Sequence, residues 1–248
     1  MRVAGLLVDL DGTLYVGDEP VEGAREAIAR LKSAGLAIRF VTNATRKPRR
    51  MVGEHLLSLG FEVEEEEIFT PARAAAGLIG ERSCLPLVDD SLLEDLAGIT
   101  LTRRHPDHVL VGDLGEGFTY RRLNGAFGCL MEGAELVALQ RNRYWRTEKG
   151  LVLDAGPFVA ALEYASGKSA TVVGKPQESF FRLALDDLGL SPHEVAMVGD
   201  DAEADVAGAQ AAGLRAIQVK TGKYRPETGG GPDLLLESIA ALPQALGV

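Results

Sequence analysis

Residues 6–18 read LLVDLDGTLYVGD, an apolar run that ends in Asp9 and Asp11, one residue apart, with Gly12 and Thr13 following at once. A short apolar run of this kind predicts a buried strand, and Asp-Gly is a common turn pair. Two readings follow: a strand that merely stops in a turn, or a strand that delivers two acids to a reaction centre. Residues i and i+2 of a strand share a face. A bend after Asp9, which Gly12 permits, would separate the two acids and give them different work.

The surroundings of that strand predict its fold. In 24–35, AREAIARLKSAG, Ala27, Ile28 and Leu31 recur at helical spacing, with Gly35 as a stop. Strand-like 36–45 ends in polar residues, and 49–60 reads as a helix between Pro48 and Gly60. Near the other end, strand-like 169–176, 194–201 and 214–222 alternate with helical 179–190 and 203–213. Repeated β-α units predict a parallel sheet covered by helices. The middle holds strand-like 85–90, 107–114, 134–142 and 150–156, with helices at 91–97, 119–132 and 157–166. β/α material thus interrupts β/α material. The prediction is an α/β protein with a Rossmann-like parallel-sheet core, 1–74 and 171–248, and an inserted α/β cap domain, 75–170.

Composition narrows the function. With 46% hydrophobic and 25% charged residues, the 248-residue chain resembles an ordinary globular protein and can bury a sizeable core. A formal charge of −10 speaks against a general nucleic-acid binder, so an anionic ligand would need local positive groups. No apolar run approaches the roughly 18–20 residues that span a bilayer, and no signal-peptide pattern opens the chain. The expectation is a cytoplasmic protein without nucleic-acid or membrane partners. Cys84 and Cys129 lie far apart and without metal-ligand neighbours, which predicts buried small hydrophobes. His55, His105, His108 and His193 fall away from the candidate segments and are expected at the surface, as is the acidic turn 64–67.

Four strand ends carry distinctive polar groups: Asp9 with Asp11, Thr42 with Asn43, Lys175, and Asp200 with Asp201 and Asp205. Ligands of open parallel sheets bind where such loops converge. Alone, each group is an ordinary cap or turn former. Together they supply phosphoryl transfer: a carboxylate nucleophile, acids on two loops for a Mg²⁺ ion, and a hydroxyl, an amide and an ammonium for the phosphoryl oxygens.

The segments DLDGTLY, VTN, GKP and GDDAEAD, in that order, resemble the haloacid dehalogenase-like phosphatase superfamily. The resemblance implies that Asp9 is nucleophile and Mg²⁺ ligand, and that Asp11 is general acid and base with its carbonyl also on the metal. It further implies that Thr42, Asn43 and Lys175 hold the phosphoryl group, that Asp200 ligates Mg²⁺, and that Asp201 and Asp205 orient ligands from behind. The long insertion resembles the large α/β cap of subfamily IIA, the group containing the nucleotide phosphatase of amino-sugar operons and the phospholysine phosphohistidine inorganic pyrophosphate phosphatase. Caps of that group often pair, which implies a homo-oligomer as a further candidate. Where many relatives carry Thr-Asn-Pro-Asp after a cap strand, this chain has Gln140, Arg141, Asn142 and Arg143.

The segment 141–149, RNRYWRTEK, reads either as a specificity element, with Arg141, Arg143 or Arg146 attracting an anion and Trp145 or Tyr144 packing on a ring, or as an exposed turn. Arg46 and Lys47 likewise suit either an anion at a helix start or a solvated face. The function expected is hydrolysis of a small phosphorylated metabolite through an aspartyl-phosphate: a phosphoric monoester, with pyrophosphate and N-phosphoryl compounds as further candidates. Three alternatives remain: a phospho-receiver that stores phosphate, a phosphomutase that returns an isomer, and a silent binding protein. Multiple turnovers of phosphate release separate the first two from a phosphatase.

Overall fold

The computed structural model of the chain describes residues 3–147, 150–226 and 231–248. Contacts divide it into two compact units, one of Met1–Thr42, Arg49–Phe69 and Lys175–Val248, the other of Asn43–Pro48 and Thr70–Gly174.

The first unit opens with β1 (Gly5–Asp9), buried along its whole length. A strand covered on both faces needs a continuous apolar run, which Leu6, Leu7 and Val8 provide. A short hairpin, β2 (Tyr15–Val16) and β3 (Glu19–Pro20), follows. Helix α1 (Ala24–Ser33) then buries Ala24, Ala27, Ile28 and Leu31, the stripe its spacing predicts. β4 (Ala37–Val41), α2 (Arg49–Ser58) and β5 (Ile68–Phe69) complete this half.

The second unit runs through α3 (Pro71–Ile79), β6 (Ser83–Leu87), β7 (Thr100–Leu101), β8 (His108–Val111), α4 (Tyr120–Met131), β9 (Glu135–Ala138), β10 (Tyr144–Thr147), β11 (Gly150–Leu153), α5 (Gly156–Ser166) and β12 (Thr171–Val172). Its five-stranded sheet, ordered β12-β9-β8-β6-β7, is parallel throughout. Leu87, Val109, Val111 and Leu136 pack there with Ala126 and Leu130 of α4.

The chain then returns to the first unit with α6 (Glu178–Leu188), β13 (Val195–Gly199), α7 (Gly208–Ala211), β14 (Arg215–Val219), β15 (Leu234–Leu236) and α8 (Leu242–Leu246). The resulting six-stranded sheet is ordered β15-β14-β13-β1-β4-β5, again all parallel. Successive strands leave β1 on one side through β4 and β5, then resume on its other side with β13. The order therefore reverses at β1, the place where open parallel sheets bind ligands.

Several elements differ from the sequence reading. The α-helix expected over 91–97 is a 3₁₀ helix, Asp90–Leu96, with Asp89 accepting from the N–H of Ser91 at 3.0 Å. The helix expected over 203–213 begins as a π-helical turn, Ala202–Ala207, before α7. Its Asp201 carboxylate caps the N–H groups of Glu203 and Ala204, both at 3.0 Å. Residues 144–147 are a strand, not a turn: β10 pairs antiparallel with β11 in the register Tyr144↔Leu153. His108 corrects the surface expectation, being fully buried on β8 with its Nε2 3.4 Å from Glu135. Cys84 and Cys129 are buried, as expected.

Candidate active site

The register of β1 with β13, Val8↔Val198, carries Asp9 and Asp200 to the same end of the sheet. The register of β1 with β4, Asp9↔Val41, puts Thr42 one residue beyond Asp9's neighbour. Three loops at the carboxyl ends of adjacent strands thus converge where the strand order reverses.

Lys175 occupies the centre of this group, itself only 7% exposed. Its Nζ donates to Asp9 Oδ1 at 2.5 Å and to Asp205 Oδ1 at 2.6 Å. Asp205 Oδ2 accepts in turn from the N–H of Asp201 at 3.1 Å. Its carboxylate fits only because Gly199 has no side chain, since a Cβ there would stand 2.2 Å from Asp205 Oδ2. The π-helical turn, an arrangement frequent at functional sites, aims this carboxylate inward.

Asp200 is held from three directions. Gln218 Nε2 donates to its carbonyl at 3.1 Å, and the N–H of Lys223 donates to its Oδ2 at 2.5 Å. Gly12, at φ 89°, lies so close that a Cβ would fall 2.1 Å from Oδ2. Asp200 Oδ1, by contrast, is buried and has no hydrogen-bond partner among the described residues. Buried carboxylate oxygens are ordinarily paired, so this one is free to accept from something else. Asp9, Asp200 and Asp205 each offer an oxygen, all within 4.8 Å of one another.

The electrostatics are short of positive charge. Burial pushes the carboxyls of Asp9 and Asp200 above the usual range, against the ammonium of Lys175 at Asp9 and the N–H of Lys223 at Asp200. Burial likewise drives Asp205 up to about 7, with Lys175 opposing the rise and the charge of Asp9 adding to it. Burial works against the charge on Lys175, but Asp205 and Asp9 outweigh it and hold the amine protonated beyond the ordinary lysine range. Burial also raises Tyr15 to about 12, helped by the charges of Asp11 and Asp9. The Lys175 ammonium thus bridges Asp9 and Asp205, while the charge of Lys223 acts on Asp200. An all-oxygen set with one unused buried acceptor suits a hard divalent cation, so the cluster is compatible with one.

The structure places the other sequence-derived candidates less uniformly. Asp11 is exposed on the turn after β1, whose geometry is fixed by the N–H of Gly12 donating to the carbonyl of Tyr15 at 2.7 Å. Asp201 is partly buried, and although burial opposes ionisation, the N–H of Ala204 and the ammonium of Lys223 hold its carboxyl below the usual range. Asn43, Arg141, Arg143, Trp145 and Arg146 belong to the other unit. There Arg141 pairs with Glu163 at 2.6 Å, and Gln140 donates to Asp154 and accepts from the N–H of Asn142. The side chains of Trp145 and Arg146 lie outside the described residues. Arg46 pairs with buried Asp113 at 2.7 Å.

Sequence reasoning passed over Tyr15, Gln218, Thr221 and Lys223. Tyr15 sits in the quoted stretch itself, with its ring edge-on to His55 at 5.0 Å between centroids. The signal for the others was Gly222 directly after a strand, beside a threonine and a lysine.

Comparison with known proteins places these observations in context. A family model described as haloacid dehalogenase-like hydrolase matches residues 6–101, and a HAD-hydrolase-like model matches 172–242. The chain is 47% identical over 222 residues to the human haloacid dehalogenase-like hydrolase domain-containing protein 2, covering 89% of this chain and 85% of that one. It is 43% identical over 240 residues to the Bos taurus phospholysine phosphohistidine inorganic pyrophosphate phosphatase, with 94% and 88% covered. Among solved structures, p-nitrophenyl phosphatase from Archaeoglobus fulgidus superposes with a TM-score of 0.89 at 29% identity, covering 99% of this chain and all of that one.

Proposed function

We propose that this chain, a member of the haloacid dehalogenase-like hydrolase family, is a Mg²⁺-dependent phosphatase that hydrolyses a small phosphorylated metabolite through a phosphoryl group carried on Asp9. The observation that carries the reading is the cluster of buried Asp9, Asp200 and Asp205 at the carboxyl ends of parallel strands, with Asp9 and Asp205 joined through the Lys175 ammonium. Separate loops supply these groups, as a reaction with an anionic nucleophile and an anionic substrate requires.

Asp9 Oδ attacks phosphorus while the bond to the leaving oxygen breaks, and Asp11 donates the proton that the leaving group needs. This splits one displacement into two easier ones. Asp11, now a base, takes a proton from water, whose oxygen attacks the phosphorus on Asp9. Inorganic phosphate leaves and both acids return to their starting states. Lys175 orients Asp9 and offsets the charge gathered there, while Thr42 and Asn43 donate to the non-bridging phosphoryl oxygens. Asp9, Asp200 and the carbonyl of Asp11 would hold Mg²⁺, with Asp201 and Asp205 fixing them from behind. The ion, when bound, neutralises phosphoryl charge and removes the repulsion between Asp9 and its substrate.

Residues 1–74 and 171–248 are read as the catalytic core and 75–170 as the cap that selects substrate. The relatives suggest p-nitrophenyl phosphate, pyrophosphate and N-phosphorylated lysine or histidine as first members of a substrate panel. A homo-oligomer through the cap is a further proposal, supported by exposed Tyr144, Leu151 and Leu153 on the β10–β11 hairpin and tested by light scattering. A monomer at assay concentration would reject it.

The test of the activity is phosphate release from p-nitrophenyl phosphate with Mg²⁺ and with EDTA. Many phosphates per chain, only with Mg²⁺, are expected. One phosphate retained per chain would identify a phospho-receiver, and an isomeric phosphoester product a mutase.

A further inference from the structure

The turn that follows β14 makes contacts that the reaction scheme does not use. β14 pairs parallel with β13, Gly199↔Gln218, so its exit delivers Thr221, Gly222 and Lys223 to the sheet end where Asp200 emerges. Thr221 Oγ1 donates to the carbonyl of Gly12 at 2.5 Å. The Lys223 N–H takes Asp200 Oδ2, and its ammonium stands 3.6 Å from Asp201. Gly222 is at φ 62°, and a Cβ on it would fall 2.2 Å from Asp200 Oδ2 and 2.5 Å from Gly12 Cα. Two glycines, Gly12 and Gly222, therefore close on the same carboxylate oxygen, and no side chain fits at either.

We propose that Thr221, Gly222 and Lys223 are positioning residues that staple the Asp9–Asp11 turn to the Asp200 loop and hold the Asp200 carboxylate in the orientation that leaves one of its oxygens for the cation. This inference rests on the phosphatase reading. One hydrogen bond and two close backbone contacts occupy Oδ2. Oδ1 is thereby left as the buried oxygen with no hydrogen-bond partner among the described residues. The two oxygens of a carboxylate are chemically equivalent, so what the Lys223 N–H and the two close backbones set is the orientation of the group, one oxygen held by the protein and the other left for a ligand. The Thr221 bond acts on the other side of the same joint. It fixes the carbonyl immediately after Asp11, and with it the turn from which Asp11 must reach both the leaving group and water. The staple thus couples two tasks, cation retention through Asp200 and proton transfer through Asp11, in a segment that carries out neither.

The two halves of the staple give separable signatures. Gly222→Ala places a methyl group against Asp200, so the Mg²⁺ concentration for half-maximal activity is expected to rise about tenfold or more. The rise in Tm that Mg²⁺ causes in the wild type shrinks with it, a readout independent of turnover. Thr221→Val removes a donor at nearly constant shape, so kcat falls several-fold while KM and the Mg²⁺ half-saturation stay close to wild type. Thr221→Ser restores kcat. Lys220→Ala, next to the staple but paired outward with Glu237 at 2.5 Å, changes none of these. The experiment is a Mg²⁺ titration of kcat, KM and Tm across the four variants and the wild type. If Thr221→Val keeps the wild-type kcat, or Gly222→Ala folds and keeps the wild-type Mg²⁺ response in both readouts, the staple has no positioning role. Should Gly222→Ala fail to fold, Thr221→Val with its serine rescue decides alone. A wild type that shows neither turnover nor a Mg²⁺-dependent Tm would instead overturn the phosphatase reading.

Discussion

The two units solve the same architectural problem with opposite electrostatics. Each is a parallel sheet with polar groups at strand ends. In the second unit those groups satisfy one another: Asp154 accepts from Gln140 and from the N–H of Ala155, and buried Asp113 accepts from Arg46 and from the N–H of Gly115 at 3.0 Å. In the first unit three buried acids cluster, two of them share one ammonium, and an oxygen of Asp200 has no hydrogen-bond partner among the described residues. A parallel α/β sheet therefore does not itself make a reaction centre. The chemistry belongs to the strand ends whose charges are left uncompensated.

The sharpest way to break this contrast is to exchange an acid for its amide in each unit. Asp9→Asn is expected to lower kcat for p-nitrophenyl phosphate by about 10⁴-fold or more, whereas Asp154→Asn leaves kcat within a small factor. Steady-state assays of both variants check this, and comparable losses would erase the distinction. EDTA should reduce wild-type activity to background and added Mg²⁺ should restore it. Activity that survives chelation would mean that the acids need no cation.

Stability should separate the units next. Lys175→Ala leaves two buried carboxyls without their shared cation and is expected to cost about 3–5 kcal/mol. Arg141→Ala breaks a pair whose arginine is 47% exposed, for less than about 1 kcal/mol. Denaturant melts of the two variants measure the difference, and equal costs would contradict it.

The pH dependence has a definite sign. Asp9, Asp200 and Asp205 have carboxyls raised above their unfolded values, Asp205 to about 7, with burial the leading cause in each. The folded state then binds more protons than the unfolded one, so their contribution to stability is fully present below the unfolded carboxylate range, near pH 4, and is lost as pH rises toward about 7. A divalent cation bound at this cluster would replace those protons. The Mg²⁺-induced rise in Tm should therefore be larger at pH 8 than at pH 5, and a pH-independent rise would dissociate the cation from the acids. The smallest effect belongs to the second unit: Arg143→Ala, Trp145→Ala and Arg146→Ala should redistribute kcat/KM across a phosphorylated panel without abolishing turnover. Unchanged ratios in all three would remove that segment from substrate choice.

Much of the first unit was legible because its strands are apolar runs that end abruptly in acids, and because α1 carries a clean helical stripe. The acids themselves were legible as a set only through four strand ends read together. Other features depend on partners that are distant in sequence. β10 holds Tyr144, Trp145, Arg146 and Thr147, strand-favouring types for the most part but only four residues set among charges, and it is defined as a strand by pairing with β11. The π-helical turn has an ordinary helical composition, and its widening shows only in the backbone, where the N–H of Val206 donates to the carbonyl of Asp201 five residues back at 3.2 Å. α3 does carry a readable start, Thr70 accepting from the N–H of Arg73 at 3.2 Å with Pro71 in the first turn. Thr221 and Lys223 look like the polar end of any strand until the register of β14 brings them against Asp200.

The central claim is that phosphate passes through Asp9. Acid quenching during turnover of a ³²P-labelled substrate, borohydride reduction of the acyl phosphate and peptide mass spectrometry test it directly. Label on the wild-type chain and conversion of Asp9 to homoserine are the expected result. Sustained phosphate release with no label, or with the modification at any other residue, would contradict it.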